Sequence, residues 1–121
     1  MSATDQFLAV FIGGSTSSNM AAWLALPQEE QLRRQQAGMA AWHGWVATHQ
    51  ANIVTMGGPL GKTKKVSAAG VEDISNAMAA FTIVRADSAE AAAAMFENHP
   101  HFAIFPGDSV EIMPVMPVPA G

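Results

Sequence analysis

The chain of 121 residues contains no cysteine and no tyrosine, and only 13% of its residues are charged. Without cysteine there is no disulfide framework, no thiolate nucleophile and no Cys-ligated metal. Lysine and arginine number 6 against 10 acidic residues, for a formal net charge of −4. That balance argues against nucleic-acid binding, which needs clustered cations facing phosphates. The one short basic cluster, Lys62, Lys64 and Lys65, does not reverse it. Long apolar runs are missing as well: none approaches the roughly 20 residues that cross a bilayer. The opening Met-Ser-Ala-Thr-Asp-Gln lacks the positive start of a signal peptide, so the expectation is a cytoplasmic protein with no membrane partner.

What is abundant is apolar surface. Half of the residues are hydrophobic, a high share for one small domain, which has much surface to cover with polar groups. The length predicts a single domain over 1–121, with a Pro-rich tail from about 115, and the composition predicts a buried subunit interface.

Gln6–Ile12 reads as a strand with two apolar faces, Phe7, Ala9 and Phe11 on one and Leu8, Val10 and Ile12 on the other. A strand of that kind is covered on both sides. Gly13-Gly14 and a Ser/Thr-rich loop close it. Helical spacing over Gln28–His49 follows Pro27, with Glu29 and Glu30 in the first turn, and puts Leu32, Gln35, Met39, Trp42, Val46 and His49 on one stripe. Gly38 lies beside that stripe, where it opens space between helix and sheet.

Strands are predicted at Ile53–Met56 and Ala79–Arg85, with a short irregular one at Lys64–Ala68. Asp87 or Ser88 caps a helix over Ala89–Asn98, which His99-Pro100 ends. The last strand is Ser109–Met113. The order β-α-β-β-α-β describes an α+β, ferredoxin-like sandwich: an antiparallel sheet with two helices on one face. The other sheet face is then bare yet apolar, which predicts a homodimer in which two open sheet faces meet as a dimeric α+β barrel.

The stretch Gly57-Gly58-Pro59-Leu60-Gly61-Lys62-Thr63 has the look of a phosphate-binding loop. Its glycines enclose only three residues, and strand and turn follow instead of a helix, so it is not a nucleotide cradle. It reads as a turn after a strand, with backbone N–H groups that can receive a carboxylate or phosphate.

Trp42 with Trp45, Gly58-Pro59-Leu60-Gly61, Val66-Ser67, Ala86-Asp87-Ser88, His99-Pro100-His101, Ser109-Val110-Glu111 and Met116-Pro117 follow one another in this order and spacing along nearly the whole chain. Together they resemble the YCII-related (DGPF-like) proteins. The resemblance implies a dimeric α+β barrel with a cleft between the sheet and the first helix, and for most members no assigned activity. Two departures stand out. The Asp-Gly-Pro-Phe motif is replaced by Val71-Glu72-Asp73-Ile74. The His–Asp pair of enzyme-like members is not intact either: its histidine would fall near Met39–Ala40, and His99 stands before Pro100 where the aspartate would be.

The candidate acid–base residues are His99, His43 and Glu111. His99 and His101 form a His-Pro-His loop at a helix end, where the dipole favours imidazolium, and an unperturbed histidine titrates near neutrality. Glu111 interrupts an apolar strand; buried in a dimer it serves as a general base or as a tie between subunits. Met39, Trp42, His49, Gly58, Pro59, Leu60 and His101 are the candidate ligand-binding residues. Each has a plain structural alternative in core packing, a helix end or a solvated turn. No metal site and no cofactor motif is expected, since no further ligands are spaced for one. The histidines lack an evident carboxylate orienter, so the reading leans to binding of a small organic molecule in the cleft. The alternatives are a cofactor-free enzyme using histidine as general acid and base, and a structural or regulatory module.

Overall fold

In the computed structural model, which describes residues 5–119, the chain runs β1 (Asp5–Ile12), α1 (Ser18–Leu24), α2 (Gln28–His49), β2 (Ile53–Pro59), β3 (Thr63–Ser67), β4 (Gly70–Ile74), β5 (Met78–Ala86), α3 (Ala89–Ala94), α4 (Pro100–Ala103) and β6 (Ser109–Pro114). A 3-10 turn at Gln50–Asn52 follows α2. Four strands form one antiparallel sheet in the order β2-β5-β1-β6, and β3 and β4 form a separate hairpin. The α+β class and the antiparallel sheet with helices on one face are as the sequence predicts.

The register of β1 explains its double apolar pattern. Phe7, Ala9 and Phe11 stand opposite Val84, Thr82 and Ala80 of β5, and opposite Pro114, Ile112 and Val110 of β6. This face makes the core: Phe7, Ala9, Phe11, Val84 and Ala86 close against Ala92 and Phe96, with Trp42 and Trp45 of α2 packed over them. Leu8, Val10 and Ile12 point the other way, beside Ile83, Phe81, Met113 and Glu111, and no helix of the core cluster lies on that side.

Three local differences from the sequence reading have clear causes. The Ser/Thr-rich loop contains α1, because the Ser17 hydroxyl accepts the Met20 N–H (3.1 Å) and caps a turn. The helix predicted to Asn98 stops at Ala94; Asn98 then turns the chain with φ 57, and His99 caps α4. The strand predicted at Lys64–Ala68 acquires a partner, since Gly70 (φ 111) reverses the chain and Lys64 Nζ meets Asp73 across the hairpin at 2.6 Å. Glu and Asp are poor strand formers alone, so only the pairing makes Gly70–Ile74 a strand.

The packed face of α2 is also rotated from the predicted stripe. Gly38 is the buried residue of this helix, Trp42, Trp45 and His49 are half-buried, and Leu32, Gln35 and Met39 are exposed. The space Gly38 opens is occupied by Phe105, whose ring would lie 2.5 Å from a Cβ placed there. The expected Gly-Pro turn is likewise filled differently. Gly57 has φ 68 at a register shift within β2, its would-be Cβ 2.0 Å from the Phe81 carbonyl oxygen, and Gly58 and Pro59 stay paired with β5. It is a bulge in an edge strand, where proline's missing N–H is harmless.

Two glycines bracket what these contacts imply. Gly44 has open space around it in α2, so Gly44→Ala is expected to raise stability by about 0.5–1 kcal/mol. A Cβ on Gly107 would lie 2.3 Å from the His101 ring and 2.5 Å from its carbonyl oxygen. Gly107→Ala is therefore expected to lower stability by about 1–3 kcal/mol, as is usual for overpacking, and urea unfolding of the pair checks both signs.

Candidate functional site

The cleft lies between α2 and the β2–β5 half of the sheet, with a volume of about 520 Å³. Met39, Trp42, His43 and Val46 line it from the helix; Met56, Gly58 and Pro59 line it from β2. Its floor is Ala80, Phe81 and Thr82 of β5 with Phe11, and Phe105 closes one end. The walls are almost wholly apolar. Thr82 is the buried polar side chain of the floor, and its hydroxyl donates to the Met56 carbonyl (2.9 Å), so it is satisfied without a ligand. His43, exposed on α2, is the one titratable side chain among the lining residues.

The rotation of α2 creates this arrangement. Because Gly38, Trp42 and Trp45 face the core, Met39 and Val46 fall on the flank and become cleft wall. Trp45 is held away from the cleft by a hydrogen bond from its Nε1–H to the Met95 carbonyl (2.6 Å). Trp42 stacks on Phe11 with centroids 5.3 Å apart, and both rings line the cleft.

Behind those two rings sits His99, fully buried (0% exposed). Its ring is edge-on to Trp42 (4.5 Å), Trp45 (4.8 Å) and Phe11 (5.1 Å). Nδ1 accepts the His101 backbone N–H (3.0 Å), so the neutral ring carries its proton on Nε2, which has no hydrogen-bond partner among the described residues. Burial, with the nearby His101 and His49 adding to it, pushes the His99 imidazole down to about 4. The ring is thus neutral near pH 7, and the expected imidazolium at a helix C-terminus is not found, because α3 stops at Ala94 and His99 stands at the positive, N-terminal end of α4.

The sequence candidates therefore separate. Met39, Trp42, His43, Gly58 and Pro59 come together on the cleft. His99 lies one ring behind the wall, and His101 is buried with Nε2 donating to the Ile12 carbonyl (2.9 Å). His49 packs on Trp45 at 4.9 Å, off the lining. Leu60 belongs to a second, more polar cavity of about 680 Å³ at the base of the hairpin, with Gly13, Lys62, Lys64 and Asp73. Glu111 pairs with Val10 and so stands on the opposite sheet face from the cleft. The histidines and Glu111 do not share one pocket, and no histidine of the described residues forms an ion pair with a carboxylate.

Phe105, Phe81, Met56 and Thr82 are site residues that the sequence reading missed. Gly38 carried a signal for Phe105, since a glycine facing the sheet from within a helix marks a close approach. Thr82 carried one too, as the lone hydroxyl within the apolar run Met78–Val84.

The pH dependence of His99 has a definite sign. In the unfolded chain the group titrates near 6.5, and in the folded chain near 4, so the unfolded state binds more protons between these values. Stability from this group is complete above pH 6.5 and is lost as pH falls toward 4. The loss is on the order of 3 kcal/mol for a shift of this size. His99→Asn, which keeps a capping acceptor, is expected to flatten that part of the stability–pH curve in urea melts.

No family model matches the chain, and no curated protein matches it by sequence. Among solved structures the chain is similar to 5-chloro-2-hydroxyhydroquinone dehydrochlorinase from Burkholderia phenoliruptrix AC1100, in complex with 2,5-dihydroxybenzoquinone. The TM-score is 0.50 at 19% sequence identity, covering 89% of this chain and 90% of the other. At that identity the likeness establishes a shared fold, an α+β unit with an antiparallel sheet.

Proposed function

We propose that the protein binds a small, flat organic molecule in the cleft between α2 and β5. The observation that carries this reading is the cleft itself: about 520 Å³ of apolar and aromatic wall, the size and lining of small-molecule sites, with His43 beside it. Trp42 and Phe105 offer ring faces, and Met39 and Met56 adapt to shape. The structural neighbour, whose own structure holds a dihydroxybenzoquinone, supports a planar, oxygenated ring as the ligand class. Binding is favoured over acid–base catalysis because no carboxylate of the described residues pairs with His43, and His99 lies behind Trp42 and Phe11. The catalytic alternative rests on His43 alone.

A thermal-shift panel of hydroxylated benzoquinones, hydroquinones and aliphatic acids tests the reading. A ligand at one hundred times its Kd stabilises by about 2.7 kcal/mol, a rise of several degrees in Tm. Val46→Phe, which fills the cleft from the helix flank, is expected to weaken the best compound at least about tenfold, a loss of roughly 1.4 kcal/mol. No shift with any ring compound, or an unchanged shift in Val46→Phe, would sink the proposal.

The chain further assembles, on our reading, as a homodimer through the open sheet face. Support comes from the row Ile83, Leu8 and Met113, apolar residues on a face without a covering helix in the core cluster. Leu8→Asp at its centre is expected to give a folded monomer by light scattering at about 10 µM, since an unpaired carboxylate buried in an interface costs several kcal/mol.

A further inference from the structure

Among the described residues, the open sheet face carries one cation and one anion, since Asp5 of β1 falls on the other face, and the two lie on opposite sides of Leu8. Arg85 of β5 stands opposite Gln6, and Glu111 of β6 stands opposite Val10. Leu8, midway between Gln6 and Val10, pairs with Ile83 on one side and Met113 on the other. Arg85 and Glu111 are thus displaced from Leu8 by one strand and two residues each, in opposite directions. Two strand spacings and four residues of rise put them roughly 17 Å apart within one chain, beyond mutual reach. Both are exposed, and among the described residues neither belongs to an ion pair.

We infer that Arg85 of one copy pairs with Glu111 of a second copy, twice, across a two-fold axis that passes over Leu8. The inference rests on the open-face dimer proposed above. A two-fold axis between the facing sheets, perpendicular to the line from Arg85 to Glu111, brings the Glu111 of each copy over the Arg85 of the other. One operation satisfies both pairs, as an isologous interface requires. Facing sheets pack about 10 Å apart, a gap that a guanidinium and a carboxylate span together. Neither charge is then left alone at the rim of an apolar patch, and the pairs set which of the possible sheet-on-sheet rotations is adopted. The occupant of the face is accordingly a second copy of this chain, because the charge pattern is complementary to itself.

Sedimentation of purified variants tests this. Arg85→Glu alone sets a second carboxylate against Glu111, and Glu111→Arg alone sets a second guanidinium against Arg85. Each is expected to raise the dimer Kd at least about tenfold while circular dichroism stays native, since both sites are exposed and like charges repel. Recovery is the decisive arm. An equimolar mixture of the two variants is expected to form a heterodimer in which opposite charges again face each other at both pair sites and the like-charged homodimers are depleted. R85E/E111R in one chain restores both sites and is expected to dimerise within about threefold of wild type. Singles that associate like wild type, or singles that weaken without recovery in the double swap, overturn the pairing. Wild type that dimerises and is broken by Leu8→Asp but not by the charge variants keeps the face and loses the pair. A wild type that stays monomeric removes both.

Discussion

The ring of Phe11 is the contact on which the layers of this molecule depend. It is 1% exposed and touches Trp42 of α2 face to face, Phe96 and His99 beyond α3, and His101 of α4 edge-on. The strand thereby holds the long helix, α4 and the segment between α3 and α4 through a single side chain. Aromatic pairs of this kind contribute about 0.5–1.5 kcal/mol each beyond the area they bury. Phe11 also forms part of the cleft floor, so the same ring that organises the core shapes the candidate binding site.

His99 belongs to that aromatic cluster more than to the cleft. A histidine there gives up solvation, yet it supplies the acceptor that caps α4 and starts the turn toward Gly107. The turn must be tight, because Gly107 lies against the His101 ring. Within it Phe105 reaches back to Gly38, and the chain then enters β6. The buried imidazole, the short helix and the closed end of the cleft are consecutive consequences of one local bend.

The two faces of β1 divide the labour of the fold. One is sealed by helices and by the Phe11 cluster. The other is apolar and carries no helix of the core cluster, and Arg85 and Glu111 are disposed about its Leu8 in opposite directions.

Alternation and helical spacing in the sequence determined the four strands of the main sheet, the long helix and hence the α+β class, because these follow from which side chains must leave water. The apolar Leu8, Val10 and Ile12 already demanded a second covered face. Tertiary structure alone decided the rotation of α2, since the preference of Gly38 over Leu32 for the interior comes from Phe105, distant in sequence. It also decided that His99 would be buried behind Trp42, that Glu111 would face away from the cleft and that Gly70–Ile74 would be a strand. Those outcomes depend on register, close approach and pairing between remote segments, and local periodicity carries no record of such contacts.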